Sequence, residues 1–232
     1  MFVELTKYTL IHKNIPTIDM FINDKSGYIE IVGTLVSAEH LPIGISCKND
    51  IVNEEELNEW WSERCIPANR EGFKQLFYSM NMNVRRNILT RCMGLSLSDQ
   101  YWIKPANSDI KWSEVNFFEN TFPEDMGKRL FGEIRSKPSL NLFSPDNTTD
   151  GCLKKRWKII DGKRCLIKAG TPPFHQQAFN EIIAAKIMSR LGIRHVPYSL
   201  IWRKNEPYSV CEDFITPETE LVSANQVIKS ET

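Results

Sequence analysis

The sequence has no surplus of either charge: 29 Lys and Arg stand against 29 Asp and Glu, for a formal net charge of +0. A dedicated DNA-binding domain needs a basic surplus to neutralise phosphates, and a nucleic-acid mimic would be strongly acidic, so the total fits neither class. No apolar run approaches the length needed to span a bilayer. Glu4 and Lys13 interrupt the start before the apolar core of a secretory leader can form, which predicts a cytoplasmic protein with no membrane partner. The six cysteines (Cys47, Cys65, Cys92, Cys152, Cys165 and Cys211) include no C-x-x-C pair, and histidines do not cluster with them. That spacing predicts reduced thiols and no metal site. No internal repeat or low-complexity tract occurs. What remains is ordinary globular composition, 41% hydrophobic and 25% charged over 232 residues, enough for one large domain or two small ones.

The N-terminal stretch reads as a β-meander. Phe2 to His12 and Tyr28 to Val36 are rich in β-branched and aromatic residues, and Asn23-Asp24-Lys25-Ser26-Gly27 has turn chemistry with Gly27 free to take positive φ. Helices follow. Asn53 is a cap with Glu56 as its expected capping-box partner. Leu57, Trp60 and Trp61 form an apolar face, as do Phe73, Leu76, Phe77 and Met80. Asn83 opens a third helix with Ile88 and Leu89 inward and Gly94 as its stop. Leu95 to Phe118 reads as irregular and aromatic-rich. Its Tyr101, Trp102, Trp112, Phe117 and Phe118 have only Lys104 and Lys111 as basic partners, which favours packing over base stacking and argues against a nucleic-acid ligand. Pro123-Glu124-Asp125 starts a helix that ends near Gly132. The run Ser136 to Thr149 is rich in Ser, Pro and Asn, and a domain boundary is placed there.

From Asp150 the pattern sharpens. Leu153 to Ile160 is strand-like, and Asp161-Gly162 is a two-residue hairpin turn. Lys163 to Lys168 is the returning strand. Phe174 to Leu191 is a helix whose Phe179, Ile182, Ile183, Ile187 and Leu191 form one stripe, with Glu181 beside it and Gly192 as its stop. Strands Tyr198 to Trp202 and Tyr208 to Cys211 follow, joined by a polar turn at Arg203 to Glu206. The order is strand, turn, strand ending in lysine, helix carrying glutamate, strand, strand. A protein-kinase N-lobe has this order: the lysine contacts the α and β phosphates, and the glutamate holds it. A flexible ammonium must be fixed before it can orient a phosphate, so Lys168 and Glu181 are the candidate pair. The stretch Cys211-Glu212-Asp213-Phe214 is then the hinge whose backbone meets adenine.

Asp161 to Lys168, the helix from Asn180-Glu181 to Leu191, and Val210-Cys211-Glu212-Asp213-Phe214-Ile215 together resemble HipA-like kinases of bacterial chromosomes and mobile elements. The upstream Leu95-Ser96-Leu97-Ser98-Asp99-Gln100-Tyr101-Trp102 stretch resembles them too, so the likeness runs from the N-terminal strands to Thr219. It implies a serine/threonine kinase that uses ATP and Mg²⁺, often as the toxin of a toxin–antitoxin pair. It also implies a glycine-poor phosphate loop near Ser144 to Lys155, where Gly151 is the one glycine. Lys168, Glu181, Gly151, Glu212 and Phe214 are the nucleotide-binding candidates it supplies. Thr148 and Thr149 are self-phosphorylation candidates by the same analogy, although their turn chemistry fits ordinary loop threonines.

A kinase also needs a catalytic aspartate, a nearby asparagine and a metal-binding aspartate beyond the hinge. Ile215 to Thr232 contains no aspartate, so no catalytic or metal-binding residue is assigned and almost no turnover by the chain alone is expected. The expected architecture is α+β. An N-terminal region (1–140) of antiparallel strands and helices precedes a kinase N-lobe-like domain (141–216) with one αC-like helix and no C-lobe, and a tail (217–232) follows. The expected function is that of a catalytically incomplete HipA-like homologue that binds and regulates a protein partner. That partner would be a kinase C-lobe, an antitoxin-like repressor or a defence protein. The alternatives are a mobile-element inhibitor of a host defence nuclease and one half of a split kinase. Partner surfaces are expected at Val196 to Ile201 and Phe214 to Val222.

Overall fold

The computed structural model describes residues 4–73, 76–77, 86–134 and 140–231. Among them the chain is mixed α/β, with two four-stranded antiparallel sheets, a two-stranded ribbon and six α-helices. No helix among the described residues is long and apolar enough to cross a membrane.

The first sheet is the expected meander plus one strand. β1 (Leu5–His12), β2 (Ile15–Asn23) and β3 (Ile29–Leu35) run in sequence, and β6 (Tyr101–Pro105) adds to the free edge of β1, giving the order β3-β2-β1-β6. The β2–β3 turn forms where its residues require. Gly27 takes φ 65°, and its N–H donates to Asn23 O at 2.7 Å. Tyr101 to Pro105 is therefore a strand rather than irregular chain. Its burial is continuous at Tyr101, Trp102 and Ile103, so it lacks the alternation that marks a strand in sequence.

The ribbon β4 (Cys47–Lys48) and β5 (Ile51–Val52) leads into α1 (Glu54–Glu63). Asn53 caps α1 by accepting from the Glu55 and Glu56 N–H groups at 3.1 and 3.2 Å. The capping box does not close: Glu56 Oε2 instead accepts from Ser46 N–H at 2.6 Å, a longer-range bond no local pattern encodes. Leu57, Trp60 and Trp61 face the first sheet and are buried. In α2 (Arg86–Arg91) Ile88 and Leu89 are buried as expected, and Gly94 follows at φ 63°. Phe73 and Leu76 are buried, while Met80 and Asn83 lie outside the described residues. α3 (Trp112–Val115) and α4 (Asp125–Leu130) complete this part. Trp102, Phe117 and Phe122 are buried in one core cluster, so the aromatic density is packing and not an exposed stacking platform.

The polar run read as a boundary is not a loose linker where it is described. Ser144, Asp146 and Asn147 are fully buried, and residues Pro145–Thr148 form a 3₁₀ turn. The second sheet follows: β7 (Lys155–Ile160), β8 (Lys163–Ala169), β9 (Ser199–Arg203) and β10 (Glu206–Glu212), in the order β7-β8-β10-β9. Both hairpins turn on two residues with positive φ, Asp161 with Gly162 and Lys204 with Asn205. α5 (Gln176–Arg190) connects β8 to β9, and α6 (Ala224–Ser230) ends the described chain.

The α5 stripe is not the packed face the periodicity suggests. Only Ala178 and Ala185 are buried, while Ile183, Ile187 and Leu191 are 54%, 53% and 66% exposed. Small residues let the helix lie close to the sheet, and the branched residues point away from it.

Candidate functional site

Lys168 stands near the end of β8, and Glu181 stands in the second turn of α5. The helix folds back so that Lys168 Nζ lies 2.9 Å from Glu181 Oε1. Tyr198, just before β9, adds a second clamp: Nζ donates to its Oη at 2.5 Å and also lies 4.7 Å from the centre of its ring. Burial would push the Lys168 ammonium down, but the bonds to Glu181 and Tyr198 outweigh it and hold the group above its usual value. Burial pushes the Tyr198 hydroxyl up to about 12, so it stays protonated. Tyr198 was not singled out from the sequence. It lies outside any motif, and only the fold brings it to the lysine.

Gly151 sits in the loop before β7 at φ 92°, where a Cβ would collide with the Lys155 ammonium. The loop is fixed from beneath by the segment 66–71. Ile66 N–H donates to Asn147 O at 3.0 Å and Glu71 N–H donates to Cys152 O at 3.0 Å. The Arg70 guanidinium donates through Nε to Gly151 O at 2.8 Å and through Nη2 to Thr149 O. Arg70 is 2% exposed, and its Nη1 is buried without a hydrogen-bond partner. Burial lowers it to about 10, and Asp146 and Asp150 partly offset that. Neither Arg70 nor Lys155 was read from the sequence.

Thr148 and Thr149, the analogy's phosphorylation candidates, are buried at 8% and 7% exposure. Thr148 Oγ1 donates to Leu95 O at 3.0 Å, and Thr149 Oγ1 donates to Pro145 O at 2.9 Å. Neither hydroxyl can meet a phosphate donor in this conformation. Glu212 ends β10 with its carboxylate 2.7 Å from Lys163 Nζ, beside the Asp161-Gly162 turn and away from Lys168. Phe214 is 56% exposed just beyond. Between them Asp213 is pushed up to about 6 by burial against bonds from Ile215 and Phe214 N–H, and its Oδ2 is buried and unpartnered.

The arrangement can do one thing chemically: fix a cation beside a shaped, glycine-containing loop. Among the described residues no group of three or more His, Cys, Asp or Glu side chains is placed to hold a metal ion. Comparison with protein-family models and with curated proteins returned no match.

Proposed function

We propose that this chain is the ATP-side part of a HipA-like serine/threonine kinase, and that it works by binding a protein partner rather than by turning over alone. The observation that carries the reading is the Lys168–Glu181 contact of 2.9 Å between β8 and α5. The ordered set of hairpin, lysine strand, glutamate helix and second hairpin supports it, as does the glycine-poor loop, whose Gly151 lies against Lys155, the β7 residue opposite Lys168. ATP with Mg²⁺ is the cofactor pair this implies. Lys168 would meet the phosphates, Glu181 and Tyr198 would hold it, and the Cys211-to-Phe214 stretch would edge the base. Phosphoryl transfer depends on positioning and on neutralising charge in flight. Residues 214–232 contain no aspartate, so no base or metal ligand is assigned among them.

The partner reading, with a kinase C-lobe as the favoured occupant, rests on α5. Its apolar outer residues, with Trp202 at 59% and Phe214 at 56% exposure, leave large hydrophobic side chains in water.

The test is ATP titration of the full chain by calorimetry, with and without Mg²⁺, beside an assay for phosphate transfer. ATP should bind, Lys168→Ala should weaken it at least tenfold, and transfer should be negligible. Absence of ATP binding would end the nucleotide reading. Vigorous self-phosphorylation that Lys168→Ala abolishes would end the claim of dependence on a partner.

A further inference from the structure

Lys168 is not alone on its face of the sheet. The β7–β8 register pairs Lys155 with Lys168. Directly opposed residues of an antiparallel pair project from the same face, about 5 Å apart at Cβ. Lys168 gives two of its three ammonium donors to Glu181 and Tyr198. The Lys155 ammonium, by contrast, has no ion pair or hydrogen bond among the described residues, and it lies against the backbone at Gly151. The charged groups around it are Arg70 from the segment beneath, Lys168 from β8, and Asp150 with Cys152 from the loop. Three cations thus surround one loop whose backbone is already fixed by four hydrogen bonds from residues 66–71. One of the three, Arg70, keeps a buried amino group with nothing to bond. Lys155 and Arg70 thus keep donors with nothing to bond beside a loop whose Thr149 and Gly151 carbonyls Arg70 already occupies.

Two residues further along each strand, on the same face, Trp157 and Leu166 are packed into the core around Phe117. A purine laid flat there would compete with that core. A pyrophosphoryl group at the Lys155 end need not reach it.

We propose that Lys155 is the direct contact of a pyrophosphate-binding site completed by Lys168 and the 149–152 loop, with Arg70 as the positioning residue beneath. The ligand is a pyrophosphoryl group, free or as the tail of a nucleotide. The nucleotide source alone rests on the kinase reading above.

Burial, reinforced by the charges of Arg70 and Lys168, lowers the Lys155 ammonium to about 8, which supplies a signature. Inorganic pyrophosphate is titrated into the full chain by calorimetry at pH 7 and pH 9, with thermal melting as the folding control. Pyrophosphate should bind at pH 7, and Lys155→Gln should weaken it at least tenfold. Wild-type affinity should fall toward pH 9 as the lysine loses its proton, whereas Lys155→Arg should bind at both values because guanidinium stays charged. No pyrophosphate binding by the wild type, or undiminished binding by a folded Lys155→Gln, overturns the site. ATP binding that needs Lys168 but not Lys155 would overturn it and leave the kinase reading standing. Lys155-dependent pyrophosphate binding with no tighter binding of ATP would uphold the site and sink the nucleotide reading.

Discussion

Asp146 is a carboxyl placed where water does not reach. It is 0% exposed, accepts the Trp157 N–H at 2.7 Å and accepts the Ser144 hydroxyl at 3.1 Å. Burial pushes it up to about 6. The two hydrogen bonds and the charges of Arg156 and Arg70 counter that only in part. An unfolded aspartate titrates near roughly 3.9. Between about pH 4 and pH 6 the folded chain therefore holds more protons at this site than the unfolded chain, and its contribution to stability declines as pH rises through that window. Asp146→Asn removes the titration. The stability of the wild type relative to the variant should fall by on the order of 1–3 kcal/mol from pH 4 to pH 6.5. Denaturant unfolding at a series of pH values measures it, and a constant difference would show that Asp146 is not the source of any pH dependence in that window.

The Lys168–Glu181 pair separates binding from stability at the same scale. Its partners are 21% and 36% exposed, so Glu181→Gln should change unfolding free energy by less than about 1 kcal/mol. If the kinase reading holds, the same variant should weaken ATP several-fold, because the ammonium loses its anchor. Thermal melting beside ATP titration separates the two effects. This pair was legible in the sequence because element order alone fixes which lysine and which glutamate meet. Lys155 was equally available: counting out from the Asp161-Gly162 turn pairs Ile160 with Lys163 and, five rungs on, Lys155 with Lys168. Arg70 was not available, because it reaches its partners Thr149 and Gly151 across some eighty residues of chain, and no local pattern spans that distance.

Among the elements, α4 shows packing overruling propensity. Alanine for glycine in a helix interior usually gains about 1 kcal/mol. At Gly127, however, a Cβ would stand 2.7 Å from Asp146 Oδ2 and 2.8 Å from Arg156 Cβ. Overpacking of that kind costs roughly 1–3 kcal/mol, and the crowded Asp146 is buried with its hydrogen bonds already made. The difference leaves Gly127→Ala destabilising by up to about 2 kcal/mol net, read as a lower denaturation midpoint with unchanged slope. α5 shows the opposite failure of pattern. Periodicity finds an apolar stripe but cannot say what covers it. Here two alanines make the buried contact, and Ile187 stays 53% exposed. Strand β6 was missed for a related reason: burial on both sides erases the alternation that identifies a strand.

The whole molecule is closed by its tail, which leaves β10 at Glu212 and returns to the first sheet. Gln100, 1% exposed, holds it at three points. Its Nε2 donates to Thr216 O and Thr219 O at 2.8 Å each, and its backbone N–H donates to Glu220 Oε1 at 3.1 Å. Leu221 N–H donates to Ser98 O at 2.8 Å, and Lys229 reaches Glu59 at 2.6 Å. Burial pushes the Glu220 carboxyl up, yet the bonds from His12 and the Gln100 N–H outweigh it and keep the group below its ordinary value. A depressed carboxylate adds stability above its unfolded value and loses it as pH falls through the folded one, so acid should loosen this clasp. Apolar burial contributes little: Leu221, Val227 and Ile228 are 56%, 42% and 64% exposed. A segment held by hydrogen bonds with little buried apolar surface opens locally at low cost. Gln100→Ala removes the two side-chain bonds and should speed hydrogen exchange throughout residues 216–229, while amides of β8 and β10 keep their protection. Equal loss of protection in those strands would mean that the tail and the second sheet open as one cooperative unit, and that the clasp holds the halves of the molecule together rather than itself alone.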